Sequence, residues 1–288
     1  MRIGNKPEGM AVDPDTGLLA VGLKTPNRVA LVDAVSPRVV GRVALPGPTR
    51  HLALLRPGGP LLAPAEKAAN LVELPLGGRP RRDLPAGRGP HDAASATGGR
   101  VWVTDEPEDR VIVIRDGRSI RALDAPIEPD GVAATSDGRY VAVVGAAERA
   151  VRVYDGRDFE PLGQADAGLG PTHVAAGRRL FFVVDTRGDA VLELRVRGHD
   201  LALERRIPLG GIPYGVAFDR RRDRLWVTLT ASNRVAELSP RRQLQTFPTV
   251  RQPNSVAVDP RSGRVFVASR AAGTLQWFDP PPLQSGGP

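Results

Sequence analysis

Short runs of apolar residues, separated by turn-forming residues, follow one another along the whole chain. Some alternate apolar and polar positions, as in Val191-Leu-Glu-Leu194, and others are apolar throughout, as in Leu180-Phe-Phe-Val183. Period-two alternation bounded by Gly, Pro, Asn and Asp predicts β-strands, and no stretch has sustained helical periodicity. The hydrophobic pattern therefore predicts an all-β protein built from many short strands.

The strand pattern repeats seven times. Within a repeat, a proline opens a small apolar strand, a hairpin such as Asp13-Pro-Asp-Thr-Gly17 follows, and three further strands complete the unit. Successive prolines are 41, 42, 39, 42, 42 and 40 residues apart; they are Pro7, Pro48, Pro90, Pro129, Pro171, Pro213 and Pro253. Four short strands per unit of this length predict a seven-bladed β-propeller over residues 1–280, with four-stranded antiparallel blades. The fourth residue after each proline is alanine, except at Leu52.

The last repeat supplies only three strands before it ends in Asp279-Pro-Pro-Pro282. Met1-Arg-Ile3 stands where a fourth strand would precede Pro7. Because an open ring exposes unpaired sheet edges, we expect the N-terminal strand to complete blade seven. Residues 281–288 are predicted to be a disordered tail.

The repeat unit Pro-x-Gly-Val-Ala-Val-Asp-Pro-x-x-Gly, followed by an apolar strand and Asn-x-Val, resembles the YVTN and NHL propeller repeats. The resemblance covers essentially the whole chain and implies a relationship to lactonase-like and streptogramin-lyase-like propellers. It also implies a periplasmic or extracellular bacterial protein, although no signal peptide is visible in this chain. Streptogramin lyases use a histidine from a late blade, whereas nothing after His199 is a histidine here, which argues against membership of that group.

Composition narrows the possible chemistry. The chain has no cysteine, which excludes disulfides, thiolate nucleophiles and Cys-based zinc sites. Its net charge is +8, but only three of the 40 basic residues are lysines, a bias that a GC-rich genome also produces. Nucleic acid is not the expected partner, because no aromatic residues interleave with the arginines to stack bases. No apolar run is long enough for a transmembrane helix, and a monomer is the expected state.

The residues that follow each proline should converge on one mouth of the channel. The predicted ligand-binding residues there are Glu8, Arg50, His91, Asp92, Asp130, His173, Tyr214 and Asn254. Three of the four histidines, His51, His91 and His173, lie within three residues of a repeat proline. His51 shares its spacing from the proline with Val132 and Val174, so we expect it to pack between blades. The loops between second and third strands add acids to the same mouth: Glu66, Asp105, Glu106, Glu108, Asp109, Glu148 and Asp185.

Imidazole and carboxylate groups together suit a borderline divalent ion. The candidate metal ligands are Glu8, His91, Asp130 and His173, and the candidate catalytic residues are Asp92 and Tyr214. The sequence favours a binding or scaffold propeller that offers this mouth to a small ligand, a metal or a protein segment. The alternative is a metal-dependent lactonase, hydrolase or lyase. The simplest alternative, that these are ordinary polar loop residues, is also open.

Overall fold

The computed structural model describes residues 1–77, 79–239 and 243–281, and these residues form a seven-bladed β-propeller. Every blade is an antiparallel sheet whose strands lie side by side in chain order. The first strand of each blade contacts the first strands of both neighbouring blades, and the last blade contacts the first. The seven first strands therefore surround a central channel, as the repeat predicted.

The strands are numbered in chain order, and the first four blades have the following bounds. Blade 1 contains β1 (Pro7–Asp13), β2 (Leu18–Leu23), β3 (Arg28–Asp33) and β4 (Arg38–Ala44). Blade 2 contains β5 (Ala53–Leu54), β6 (Leu61–Ala65), β7 (Asn70–Leu74) and β8 (Arg82–Pro85). Blade 3 contains β9 (Pro90–Ala96), β10 (Arg100–Asp105), β11 (Arg110–Arg115) and β12 (Arg118–Asp124). Blade 4 contains β13 (Pro129–Ala134), β14 (Tyr140–Gly145), β15 (Ala150–Asp155) and β16 (Pro161–Asp166).

The remaining blades repeat this arrangement. Blade 5 contains β17 (Pro171–Ala176), β18 (Leu180–Asp185), β19 (Ala190–Arg197) and β20 (Asp200–Pro208). Blade 6 contains β21 (Pro213–Asp219), β22 (Arg224–Leu229), β23 (Arg234–Leu238) and β24 (Gln243–Pro248). Blade 7 contains β25 (Pro253–Val258), β26 (Val265–Ser269) and β27 (Thr274–Phe278). Single 3₁₀ turns span Glu66–Ala68, Thr97–Gly99 and Glu106–Glu108.

The core lies between adjacent blades, where the second strands are buried on both faces. Every residue of β6, β14 and β26 is buried, whereas β4 at the outer edge alternates exposed and half-buried residues. Large aromatic side chains occupy one equivalent position of the second strands, at Trp102, Trp226 and Phe266, and each is at most 2% exposed. These aromatics pack between the blades, which matches the structural role that their repetition suggested.

The N-terminus completes blade 7. Arg2 forms a β-bridge with Thr274, and Met1 and Leu275 exchange backbone hydrogen bonds. Ile3 is 1% exposed and packs against Leu275 in the core between blades 7 and 1. The predicted closure by the N-terminal segment is therefore confirmed. The predicted disordered tail falls, apart from Pro281, outside the described residues.

The spacing of the repeat prolines predicted the wrong alignment of the first strand of blade 2 with those of the other blades. Ala53 pairs with Leu62 in β6, just as Ala175 pairs with Phe182 in β18, and both second strands lead into the third through loops of equal length. Thr49, which is fully buried, therefore takes the place that proline has in the other blades. Ala53 is therefore the equivalent of the alanine that the proline spacing placed at Leu52. The positions from Thr49 to Ala53 all lie one residue later than that spacing predicted.

No helix among the described residues is long and apolar enough to cross a membrane.

Candidate functional site

Two stacked rings of side chains line the mouth, and each blade contributes one residue to each ring. Aligning the blades by their strand pairing gives the outer ring as Glu8, Arg50, His91, Asp130, Thr172, Tyr214 and Asn254. The next residue of each blade gives the inner ring as Gly9, His51, Asp92, Gly131, His173, Gly215 and Ser255. All eight predicted ligand-binding residues lie in these two rings.

The spacing of His51 from Pro48 predicted that this residue packs between the blades, and the prediction is wrong. Because blade 2 is shifted by one residue, His51 is the equivalent of His173 and Asp92, and it lines the channel. A proline-based alignment could not reveal this position, although the displaced Ala53 carried the signal in the sequence.

Glycine occupies three of the seven inner-ring positions, and at two of them neighbouring blades approach too closely for a side chain. A Cβ on Gly9 would lie 2.5 Å from the carbonyl oxygen of Arg50, and one on Gly215 would lie 2.6 Å from that of Asn254. Ser255 uses its hydroxyl to accept a hydrogen bond from the Gly9 amide. The inner ring therefore leaves His51, Asp92 and His173 as its side chains with ionisable groups.

Most outer-ring residues bind the first residue of the loop between the second and third strands of the same blade. These loop residues form a third ring, at Lys24, Glu66, Glu106, Ala146, Thr186, Thr230 and Arg270. The pairs that result are Glu8–Lys24 (2.6 Å), Arg50–Glu66 (2.5 Å), His91–Glu106 (2.6 Å) and Thr172–Thr186 (2.8 Å). Since the paired residues lie on one hairpin, blades 1, 2, 3 and 5 each satisfy these polar groups from within the blade.

Asp130 has no such partner, because alanine occupies the partner position of its blade at Ala146. No described residue forms a hydrogen bond or an ion pair with the Asp130 carboxylate. Burial raises the pKa of Asp130 to about 6, although nearby His91 acts in the opposite direction. Asp130 is therefore a half-buried carboxylate without the compensating group that the other blades supply.

A row of rings crosses the channel. The ring centroids are 5.3 Å apart for His91 and His51, 5.0 Å for His51 and His173, and 4.5 Å for His173 and Tyr214. Above this row lies an upper cavity of about 240 Å³ that Asp130, His91 and Glu106 help to line. Below it lies a lower chamber of about 550 Å³ that is lined by polar and apolar residues alike, including Asp92. Both spaces are lined by Glu8, Arg50, His51, His173 and Tyr214.

The three histidines of the row have different protonation preferences. Burial lowers the pKa of His173 to about 3, with the charges of His91 and Arg50 acting in the same direction. Burial also lowers the pKa of His51 well below its usual value, together with the neighbouring imidazoles. Burial opposes the charging of His91 too, but its hydrogen bond with Glu106 and the nearby carboxylates outweigh this and raise its pKa.

His173 has an unsatisfied nitrogen. The residue as a whole is half-buried, but its Nδ1 is inaccessible to solvent and has no hydrogen-bond partner among the described residues. The low pKa keeps this ring neutral at physiological pH. A neutral imidazole with a free nitrogen can accept or donate one hydrogen bond to a ligand.

Asp92 is held in a different way. Its Oδ2 accepts a hydrogen bond from the Val132 amide at 3.0 Å, and its Oδ1 accepts one from the Ala93 amide at 2.7 Å. Burial nevertheless raises the pKa of Asp92 to about 7, against these two hydrogen bonds. This carboxyl group faces the lower chamber, on the far side of the histidine row from Asp130.

A possible metal-binding group is present at the edge of the upper cavity. Among the described residues, the group that could hold a metal ion consists of Glu66, His91 and Glu106. One ligand atom of each residue lies within 4.8 Å of those of the other two. Of the predicted ligands Glu8, His91, Asp130 and His173, only His91 belongs to it. Glu8 is a poor metal ligand here, because Lys24, Arg50 and Arg270 already surround its carboxylate.

Several predicted polar residues are occupied by the fold itself. Asn254 donates from its amide to the Pro7 carbonyl and the Ser255 hydroxyl, and accepts from the Arg270 amide. Asp185 accepts hydrogen bonds on one oxygen from three backbone amides, and Asp105 accepts two in the same way. These two aspartates fix the loops that lead into their blades, so their charge is not free for a ligand.

The structure is similar to several solved β-propellers, although no protein-family profile and no curated protein matches the sequence. It superposes on the hydrazine synthase of Kuenenia stuttgartiensis with a TM-score of 0.81 and 16% identity, over 97% of this chain and 98% of that chain. It superposes on the virginiamycin B lyase of Staphylococcus aureus with a TM-score of 0.77 and 16% identity, over 92% of each chain. A chain of the mitotic checkpoint complex gives 0.81 and 14% identity, over 94% of this chain and 86% of that chain. At these identities the similarity shows the fold alone: this chain is a seven-bladed β-propeller, and its YVTN or NHL name stays a prediction.

Proposed function

We propose that this chain is a binding propeller and that the upper cavity at its mouth is the binding site. One observation carries the proposal: unsatisfied polar groups converge on this cavity. Asp130 and Tyr214 are half-buried residues that line it, and the Asp130 carboxylate and the Tyr214 hydroxyl have no hydrogen-bond partner among the described residues; His173 also lines it, and its buried Nδ1 has no partner there either. A carboxylate and a hydroxyl that face one cavity without a protein partner can pair with a ligand there, since binding sites combine a concave surface with a few convergent polar groups.

The size of the cavity limits the ligand. Drug-sized molecules occupy pockets of about 300–1,000 Å³, whereas the upper cavity encloses about 240 Å³. His51, His173 and Tyr214 lie between this cavity and the lower chamber, and the lower chamber also reaches the mouth at Glu8, Arg50 and Asn254. We therefore expect the cavity to hold a small polar group, either as a free molecule or as one part of a larger partner.

We include a divalent cation among the proposed ligands. Glu66, His91 and Glu106 would hold it, with the imidazole and carboxylate donors that borderline ions accept. Such an ion has to displace the proton on His91 and compete with Arg50, whose Nε lies 2.5 Å from Glu66. Elemental analysis of untagged protein purified without chelator tests this directly. Near one equivalent of metal that is lost in Glu106→Gln would support the site, and no metal in either protein would remove it.

A metal-assisted hydrolase or lyase is the second candidate function. Asp92 favours it, since a carboxyl group with a pKa of about 7 can move protons near neutral pH. Among the similar folds, the Staphylococcus aureus protein is a lyase. The geometry supports this candidate less well, because Asp92 lines the lower chamber, whereas His91 and Glu106 of the possible metal site line the upper cavity. A general base has to be within hydrogen-bond reach of its substrate.

Thermal unfolding in the presence of single compounds tests the binding proposal. The compounds are ammonium ions, amino acids, short carboxylates and divalent metal ions, each assayed with the wild type, Asp130→Asn and Asp116→Asn. Asp116 is the matched control, because its side chain is 91% exposed and lies in the turn between β11 and β12, at the other end of the blade. Ligand at 100 times its Kd stabilises a protein by about 2.7 kcal/mol, which corresponds to a rise in Tm of roughly 5 °C for a chain of this size.

We expect at least one compound to raise the Tm of the wild type and of Asp116→Asn by several degrees more than that of Asp130→Asn. A panel in which no compound separates Asp130→Asn from the two other proteins would contradict the proposed site.

A further inference from the structure

A groove between blades 4 and 5 opens beside the upper cavity. It has a volume of about 370 Å³, and its lining includes Glu128, Asp130, Arg149, Leu169, Thr172 and Arg187. Three of these residues, Glu128, Asp130 and Thr172, also line the upper cavity. The groove and the cavity are therefore neighbours, and Asp130 borders both of them.

Blade 1 shows which chemical group Asp130 lacks. At the equivalent positions of blade 1, the ammonium of Lys24 lies 2.6 Å from the carboxylate of Glu8. In blade 4 the carboxylate is present as Asp130, but the partner position is Ala146. An incoming primary ammonium would thus form at Asp130 the pair that a lysine forms with Glu8 within the fold, and Glu128 would add a second carboxylate nearby.

Exposed apolar side chains accompany this part of the mouth. The loops that lead into blades 4, 5 and 6 carry Ile127, Leu169 and Ile212, which are 52%, 58% and 47% exposed. Each stands one or two residues before the proline that opens its blade, so the three occupy successive loops of the same rim. Leu169 also lines the groove. Its loop is held in place because the amides of Leu169 and Gly170 donate hydrogen bonds to Asp185.

We propose that this rim binds a protein segment that carries a lysine flanked by apolar residues. The lysine ammonium pairs with Asp130 through the groove, and the flanking side chains cover the apolar arc of Ile127, Leu169 and Ile212. The inference rests on the proposed function, since it names the partner of the same mouth. A free amine would satisfy Asp130 but would leave the apolar arc exposed to water, which favours a peptide.

The groove also indicates how many charges the segment carries. Arg149 and Arg187 line it together with the two carboxylates. A run of basic residues would meet these arginines, because like charges in close contact destabilise an interface. The segment that fits best therefore has one lysine between apolar residues.

A labelled peptide, Ac-Gly-Leu-Lys-Leu-Gly-NH₂, provides the test, with fluorescence anisotropy as the readout. Its counterpart has norleucine in place of lysine, and methylammonium alone serves as the free amine. The informative variant is Ala146→Lys, because it supplies from within blade 4 the ammonium that Lys24 supplies in blade 1. Leu169→Ser reduces the apolar arc. The matched controls are Asp116→Asn and Val35→Ser; Val35 is 75% exposed and follows β3 at the opposite mouth.

We expect saturable binding of the lysine peptide that weakens at least tenfold in Ala146→Lys and several-fold in Leu169→Ser, while both controls bind like the wild type. The norleucine peptide should bind at least tenfold more weakly. Equal binding of the two peptides, unchanged binding in Ala146→Lys, or no saturable binding would each overturn the inference. Competition by methylammonium that matches the unlabelled peptide at equal concentration would also overturn it. A small compound that binds through Asp130 while the peptides do not would refute the peptide and leave the binding propeller intact.

Discussion

Replacing His173 with leucine is expected to stabilise the ligand-free protein. His173 Nδ1 is inaccessible to solvent and has no hydrogen-bond partner among the described residues. A buried polar group without a partner costs about 1–3 kcal/mol, and leucine of comparable size removes it. The edge-on contact with Tyr214, at 4.5 Å between centroids, is lost in the variant; such contacts contribute about 0.5–1.5 kcal/mol. The expected net gain at pH 7 is about 1 kcal/mol.

The gain should grow as the pH falls. The pKa of His173 is about 3 in the folded protein, against an ordinary value of 6.5. Below pH 6.5 the unfolded chain therefore takes up a proton at this residue that the folded protein does not, and stability declines until the pH reaches about 3. Between pH 7 and pH 5 this uptake costs the wild type about 2 kcal/mol, at roughly 1.4 kcal/mol per pH unit. Leucine cannot take up the proton, so its advantage at pH 5 should be about 3 kcal/mol.

Urea unfolding followed by tryptophan fluorescence at pH 7 and pH 5 measures both numbers. His199→Leu is the control, because His199 is exposed in the turn between β19 and β20; surface changes of this kind stay within about 0.5 kcal/mol. If His173→Leu is destabilising at pH 7, the nitrogen is satisfied in solution and the argument for a free binding group fails. An advantage that does not increase at pH 5 would show that His173 charges freely in the folded state.

Three further changes test the architecture that positions the mouth, each by chemical denaturation. Ile3→Ala should destabilise the protein by about 2–5 kcal/mol, because Ile3 is fully packed between the first and last blades; a change below 1 kcal/mol would mean that the N-terminal segment does not close the ring. Gly9→Ala should lower the free energy of unfolding by about 3 kcal/mol or more, since Gly9 has a φ of +78° and an added Cβ would meet the Arg50 carbonyl. The control Gly210→Ala should be nearly neutral, because the space around Gly210 is open. Asp185→Ala should cost about 2–4 kcal/mol by freeing the three amides that Asp185 binds, and it should also weaken peptide binding at Leu169; equal stability with the wild type would contradict both roles.

The sequence alone determined the fold and the general location of the site. Repeat prolines, alternating strands and a missing final strand specify seven blades and the closing role of Met1–Ile3, because each of these is local information or a regular spacing. The same regularity places the residues after each proline at one mouth. For that reason all eight predicted residues are found in the two rings, from Glu8 in blade 1 to Asn254 in blade 7.

Only the tertiary structure decided which of these side chains have partners. The shift in blade 2 moved His51 into the channel, and it became visible only when Ala53 was paired with Leu62. The loss of a partner at Asp130 depends on which loop residue faces it across the hairpin, and Ala146 has no pattern of its own. Strand periodicity assigns a residue to a face and a level of the ring. Burial, pKa and pairing arise from the side chains that other strands and blades bring to that level, and no single segment of sequence contains them.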